Sequence, residues 1–331
     1  MTFDITIIIP TYNNSKLLRQ AIDSCLAQTG VSIEILVVDD ASTDNTQATL
    51  VEYGEPIRNI LLETNHGNGC YARNIGIKYA RGRYIKFLDH DDVLEPGTLS
   101  REFAAAHANN ADMVMSGWGW CSIDEEGNVI PGTQRMFEPP PPEELIEAIL
   151  GDRKVPFTAA VLYKREYIID MEWDSSARVR DDFDWFCRTA LKRGKIMVSP
   201  GNAYWWRLHR NSISARRSSN DLSFLEIAYI MNRILYKIEN LLQKEELLTD
   251  LRKEKLAHQY YSTGLRAFSR YDYQKFKDIL AHIFELCPGF LPTQRSEYNK
   301  YIRLLCRLIG VKATLIVYAI IRRGTDLLRR P

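Results

Sequence analysis

The N-terminal part of the chain alternates between short continuous apolar runs and segments whose apolar positions recur every three to four residues. Phe3 to Ile9 is rich in β-branched residues and is followed by Pro10, which predicts a short buried strand ended by proline. Leu17, Leu18, Ala21, Ile22, Cys25 and Leu26 then follow at helical spacing. Ile33 to Val38 predicts a second buried strand that runs into Asp39 and Asp40, and Ser42 or Asp44 is placed to cap a helix through Leu50. Ile57 to Leu62 predicts a third strand. The glycine-rich turn from His66 to Gly69 leads into a helix through Ala80. Arg83 to Leu88 predicts a fourth strand, ending at Asp89, His90, Asp91 and Asp92. Strands alternating with helices predict an α/β fold with a parallel, helix-covered sheet.

The pattern loosens further on. Asp112 to Ser122 predicts a strand carrying Trp118 and Trp120, Asp124 to Asn128 a turn, and Pro139 to Pro142 a loop. Ala159 to Tyr163 and Lys195 to Val198 read as strands on either side of a helix from Asp182 to Arg193. Beyond about Ser214 the strand signals stop. Phe224, Ile227, Met231, Ile234, Leu235 and Ile238 sit at helical spacing, and helical segments continue to the end. The polar run 215–221 therefore marks a boundary between an α/β region, 1–215, and a helical region, 216–331, that binds a membrane or a second copy of the chain.

The length of 331 residues fits two such domains, and 45% hydrophobic with 26% charged residues is ordinary globular usage that excludes a disordered chain. A net charge of +1 argues against a nucleic-acid partner. The balance hides an asymmetry. Residues 301–331 hold seven basic residues and one acid, leaving −5 on the rest. This basic, apolar tail is too short to span a bilayer and predicts peripheral contact with a membrane surface, with packing on the α/β region or on a partner subunit as the alternative. The first residues lack the basic start and long apolar core of a secretory signal. The six cysteines are scattered without metal-ligand spacing, which predicts free thiols and a cytoplasmic location.

Candidate chemistry lies at the strand ends. In an open parallel sheet, ligands bind beyond the carboxyl ends of the strands, and this chain places acids there twice: Asp39 with Asp40, and Asp89 with Asp91 and Asp92. Crowded carboxylates repel one another, and a hard divalent cation such as Mg²⁺ or Mn²⁺ relieves that repulsion and leaves positions for a diphosphate. The plain alternative is turn-forming and helix-capping aspartates. Gly67 to Ala72 fits the spacing of a dinucleotide-binding loop, but it follows the third strand rather than the first, so a simple turn is preferred.

The segments IIIPTYNNSKLLRQAIDSCLAQT, ILVVDDASTDNT, NHGNGCYARNIGIKYARGRYIKFLDHDD and VRDDFDWFCRTALKRGK occur in that order, and together they resemble the family 2 glycosyltransferases over residues 3–212. The resemblance implies the GT-A fold, a Rossmann-like, mostly parallel mixed sheet flanked by helices. It implies an inverting, metal-dependent enzyme that moves one sugar from a nucleotide donor, expected to be a UDP-sugar, to a hydroxyl of a growing glycan. It also implies roles for single residues. Pro10, Thr11 and Tyr12 match the first nucleotide-binding loop, Asp40 the acid that binds the nucleobase, and Arg73 the wall of the nucleotide pocket. Asp89 and Asp91 match the DxD motif that holds Mn²⁺ or Mg²⁺, with Asp91 the direct ligand and Asp89 nearer the ribose. His209 matches a histidine that binds metal or diphosphate in some members. Asp182 matches the catalytic base. The residue before it is Asp181 where the family has Glu, which leaves the role of Asp181 open. The spanning helices and QxxRW motif of processive polymerases are absent, which favours single additions. Trp118 and Trp120, on one strand face, are the acceptor-site candidates. Two other readings stand beside this one. A sugar nucleotidyltransferase would release pyrophosphate, and a non-catalytic module would bind glycan or nucleotide without turnover.

Overall fold

The structure, a computed structural model, describes residues 3–55, 57–130, 132–151, 158–177, 180–209, 224–291 and 310–317. The chain divides into two compact units, one of residues 1–149 and 154–220, the other of 150–153 and 221–331.

In the first unit the strands are β1 (Ile5–Thr11), β2 (Ile33–Asp39), β3 (Ile57–Leu61), β4 (Tyr84–Phe87), β5 (Val93–Leu94), β6 (Met113–Ser122), β7 (Arg135–Phe137), β8 (Val161–Lys164) and β9 (Ile196–Leu208). They form one sheet in the order β3-β2-β1-β4-β8-β6-β9-β5, with β7 added on β6. β1, β2, β3 and β4 pair in parallel. Beyond β4 the sheet is mixed: β8 runs antiparallel to β4 and β6, whereas β9 runs parallel to β6. Every residue of β1 is buried, as expected of a central strand covered on both faces. Ile5, Ile7 and Ile9 share a core with Leu18, Ala21, Ile22 and Cys25 of α1 (Ser15–Leu26). Ile8, on the other face, meets Gly76 of α3 (Gly69–Tyr79). A Cβ at Gly76 would lie 2.3 Å from Ile8 Cγ2, so the helix lies this close only because that position has no side chain. The short helix α2 (Thr46–Tyr53) joins β2 to β3.

Two departures from the expected strands bear on the site. First, β1 does not stop before Pro10 but continues to Thr11. Along a parallel strand the peptide groups face alternate neighbours. Leu88 N donates to Ile8 O and Asp40 N donates to Thr11 O, so residues 8 and 10 face β4 while residue 11 faces β2. Pairing with β4 ends at Ile8 and Phe87, so no donor is needed from Pro10. Second, β9 runs to Leu208 rather than ending near Val198. Pro200 and Gly201, which look like terminators in the sequence, are absorbed by register shifts against β6 between Ser116 and Gly119.

Helix α4 (Thr98–Asn109) leaves little trace in the apolar pattern because a core position on it is charged. Glu102 is buried and accepts from Lys86 Nζ of β4 with both oxygens at 2.6 Å, while Ser116 Oγ donates to Oε1 at 2.7 Å. The unit is completed by the short helices α5 (Leu145–Leu150) and α6 (Arg165–Ile168) and by α7 (Asp181–Leu191). Four free thiols, Cys25, Cys70, Cys121 and Cys187, are buried.

The second unit is helical: α8 (Phe224–Lys244), α9 (Asp250–Tyr260), one π turn (Tyr261–Leu265), α10 (Arg266–Tyr271) and α11 (Tyr273–Leu286). Ile234, Leu235, Ile238 and Leu242 of α8 are buried, as are Phe276, Ile279, Leu280 and Ile283 of α11. Thr249 and Asp272 cap α9 and α11 through their side-chain oxygens. Among the described residues no helix is long and apolar enough to cross a membrane. The basic tail at 301–331 lies outside the described residues except for 310–317.

Candidate active site

Because β1, β2, β3 and β4 are parallel, the residues that follow them gather at one edge of the sheet. Pro10 and Thr11 end β1 and Tyr12 follows it, Asp40 follows β2, His66 follows β3, and Asp89, Asp91 and Asp92 follow β4. Pro10 O accepts from His90 Nδ1 at 3.1 Å, which ties the β1 end to the acidic turn. Tyr12 is 43% exposed, whereas Pro10 and Thr11 are buried.

The carboxylates of Asp89, Asp91 and Asp92 each present an oxygen within 4.8 Å of the others. Their surroundings separate them. Asp89 Oδ1 accepts from Arg73 Nη2 at 2.5 Å. Burial raises the pKa of Asp91, but the hydrogen bond from His209 Nε2, at 3.0 Å, and the charges of His90 and His209 outweigh it and leave the group below the ordinary carboxylate value. Asp92 is almost fully buried. Burial and the negative charges of Asp91 and Asp89 push it well above the ordinary value, although Arg207 N donates to it at 2.9 Å. An all-oxygen set in which one acid resists ionisation suits a hard divalent cation, whose charge would remove the repulsion. Asp91 and Asp89 would hold it. His209, expected as a ligand, has its Nε2 within hydrogen-bond distance of Asp91, beside the same group of acids.

Arg73 of α3 connects this turn to α7. It is buried, with Nη2 on Asp89 and Nη1 on Asp181 Oδ2 at 3.0 Å. Its guanidinium lies 4.4 Å from the ring centre of Trp173, which stacks at 4.7 Å on Trp185 of α7. Cys70 Sγ also donates to Asp181 Oδ2, at 3.4 Å. Asp181 is thus held in place. Asp182, beside it in the first turn of α7, is half-buried and accepts only from Phe183 N, at 2.8 Å, among the described hydrogen bonds. Burial, then the charge of Asp181, raises Asp182 to about 6, against the lowering effects of Phe183 N, Arg180 and Arg73. Arg180, just before them, has φ 61, a left-handed conformation that a side chain adopts at some cost. Tyr204 of β9 reports the convergence. Burial raises its phenol, and so do the charges of Asp92, Asp89, Asp182 and Asp91 together.

At the β2 end, Asp39 is fully buried and accepts from Ser42 N at 3.2 Å and from Ser42 Oγ at 2.5 Å. Asp40, buried, accepts from His66 N with both oxygens, at 3.1 and 3.0 Å, and contacts His66 Nδ1 at 2.9 Å.

Trp118 does not serve as an acceptor platform: it is 4% exposed and packs in the core with Phe137, ring centres 5.6 Å apart. Trp120 is half-buried. The residues that sequence reading passed over are Trp173, Trp185, Arg207, Tyr204 and His66, and Asp181, whose role it left open, is the partner of Arg73. Arg207 and Tyr204 lie close to His209 in the sequence, but nothing in their spacing shows which acid they face.

Such an arrangement can bind a cation and a phosphorylated ligand at the β4 end and present a basic carboxylate beside them. Comparison with known proteins shows the family. A family model described as glycosyl transferase family 2 matches residues 6–171. The succinoglycan biosynthesis protein ExoO of Rhizobium meliloti (strain 1021) is 30% identical over 224 residues, covering 64% of this chain and 62% of ExoO, so the chain spans about three-fifths of that relative. The glycosyltransferase GlyG of Streptococcus pneumoniae serotype 4 is 29% identical over 232 residues, covering 66% of this chain and 75% of GlyG. Among solved structures, S. aureus TarS 1–349 in complex with UDP-GlcNAc superposes with a TM-score of 0.67 at 19% identity, covering 98% of this chain and 92% of that one.

Proposed function

The chain belongs to glycosyltransferase family 2 and has the GT-A fold, and on that premise we propose that it is an inverting, divalent-metal-dependent transferase that passes one sugar from a UDP-sugar to a hydroxyl of a growing polysaccharide or lipid-linked glycan. The observation that carries this reading is the shared guanidinium of Arg73, which joins Asp89 of the acidic turn to Asp181, the neighbour of Asp182. It supports a cleft in which donor diphosphate and acceptor hydroxyl meet. TarS was solved with UDP-GlcNAc and ExoO is named for succinoglycan biosynthesis, which supports the donor and product classes.

Pro10, Thr11, Tyr12 and Arg73 line the nucleotide site in this reading, Asp40 acts there through the His66 that it holds, and Asp91 and Asp89 would hold Mn²⁺ or Mg²⁺. When bound, the cation supplies positive charge to the departing diphosphate. Asp182 takes the proton of the acceptor hydroxyl as its oxygen forms the new bond to the anomeric carbon and the bond to the diphosphate breaks. Its value of about 6 leaves it ionised at neutral pH yet more basic than an ordinary aspartate. One base and no second nucleophile in the scheme give a single displacement with inversion. The region 216–331 is assigned to contact with a membrane or with a partner subunit, and the membrane alternative would bring the enzyme to the cytoplasmic face, where it meets a lipid-linked acceptor.

A thermal-shift panel of nucleotide-sugars with and without Mn²⁺ tests the reading. A metal-dependent rise in melting temperature with UDP-sugars supports it. Absence of any shift across the panel, or transfer that survives Asp182→Asn at near-native rate, removes it.

A further inference from the structure

The loop after β3 supplies a group that the family resemblance does not assign. His66 N and Nδ1 both engage the carboxylate of Asp40, at the carboxyl end of β2. Asn65 Nδ2 donates to Asp40 O at 3.1 Å and fixes the same turn. The imidazole stacks on Tyr71, with ring centres 3.7 Å apart and planes 8° from parallel. It is therefore held at three points: from its backbone, from Nδ1 and on one face.

This arrangement sets the tautomer of the neutral ring. A carboxylate that already accepts from a backbone N–H accepts again from Nδ1–H, and a neutral ring with its proton on Nδ1 keeps a lone pair on Nε2. Nε2 makes no hydrogen bond to the described residues, and the side chain is 30% exposed. Asp40 itself retains only 6% side-chain exposure, covered by the residue it orients. An acceptor nitrogen on a rigid, stacked ring therefore stands at the strand edge proposed for the nucleotide.

We propose that His66, oriented by Asp40 and backed by Tyr71, selects the nucleobase of the donor by accepting a hydrogen bond from a ring N–H. Uracil offers such a donor at N3, and cytosine offers a bare nitrogen there. Two acceptors facing each other lose the bond and leave both lone pairs unpaired, which is the kind of mismatch that discriminates strongly. This inference rests on the nucleotide-dependent reading above and deepens it.

Calorimetric titration of the full chain with UDP and with CDP, both in Mn²⁺, tests it. UDP is expected to bind at least about 10-fold more tightly, roughly the worth of one well-placed hydrogen bond. His66→Ala should reduce the ratio to within about 3-fold, chiefly by weakening UDP. His66→Gln, which can donate to Asp40 and still accept from the base, should keep most of the preference. An unchanged UDP-to-CDP ratio in His66→Ala overturns the inference, as does equal binding of both nucleotides to the unaltered protein, and in both cases nucleotide dependence stands. Failure of either nucleotide to bind the unaltered protein overturns the underlying reading itself.

Discussion

Arg73 and Asp181 meet through Nη1 and Oδ2 at 3.0 Å, and the same guanidinium reaches Asp89 through Nη2. One buried cation thus spans two carboxylates from different elements, and its face rests on Trp173. Lysine cannot reproduce a planar fork or this stacking. Arg73→Lys is expected to lower kcat/KM by about 10²-fold through loss of alignment between α7 and the acidic turn. Initial rates of nucleoside diphosphate release, with circular dichroism to check folding, measure this.

The position of Asp182 near 6 has a pH signature. Only its ionised form accepts a proton, so kcat/KM should fall about tenfold per pH unit below about 6. The negative charge of Asp181 helps raise that value, so Asp181→Asn should move the limb to lower pH. Asp182→Asn should abolish the limb together with about 10²–10⁴-fold of the rate, while nucleotide binding stays intact. A pH–rate profile of the three proteins decides these points.

Asp92 is held above its ordinary value by burial and two neighbouring carboxylates. The folded protein therefore binds this proton more tightly than the unfolded chain does. Stability from this group is lost as pH rises from the ordinary carboxylate value through the raised one. Asp92→Asn keeps an oxygen for Arg207 N and removes the charge, so without metal its melting temperature should exceed that of the parent by a few degrees at pH 8 and by less at pH 5. Mn²⁺ should stabilise the parent more than the variant, closing the gap at pH 8. Scanning calorimetry at both pH values, with and without Mn²⁺, checks the order.

Lys86 and Glu102 form an ion pair with side chains 0% and 1% exposed. Lys86→Met leaves the carboxylate buried with Ser116 Oγ as its remaining donor, an expected cost of about 3–5 kcal/mol. Glu102→Leu added to it should recover most of that loss, because no charge is then left buried. Denaturant titrations of the single and double variants measure the difference.

The parallel strands at the start of the chain were legible in the sequence because each is a continuous apolar run between turn residues, and burial on both faces demands that composition. The acids at the ends of β2 and β4 were legible for the same reason: they end those runs. Helix α4 was hidden, since the Glu102 that it buries is neutralised by Lys86 from a separate strand, and periodicity carries no record of such a partner. The full length of β9 was hidden because a bulge reconciles Pro200 and Gly201 with its neighbour β6. The order of acids and the ordered motifs were enough to identify the family. Which acid faces which cation was decided only by the tertiary structure. Arg73 lies far along the chain from Asp181, and His66 from Asp40. Electrostatic and hydrogen-bond energies depend on distance and burial in space, and neither is fixed by separation along the chain.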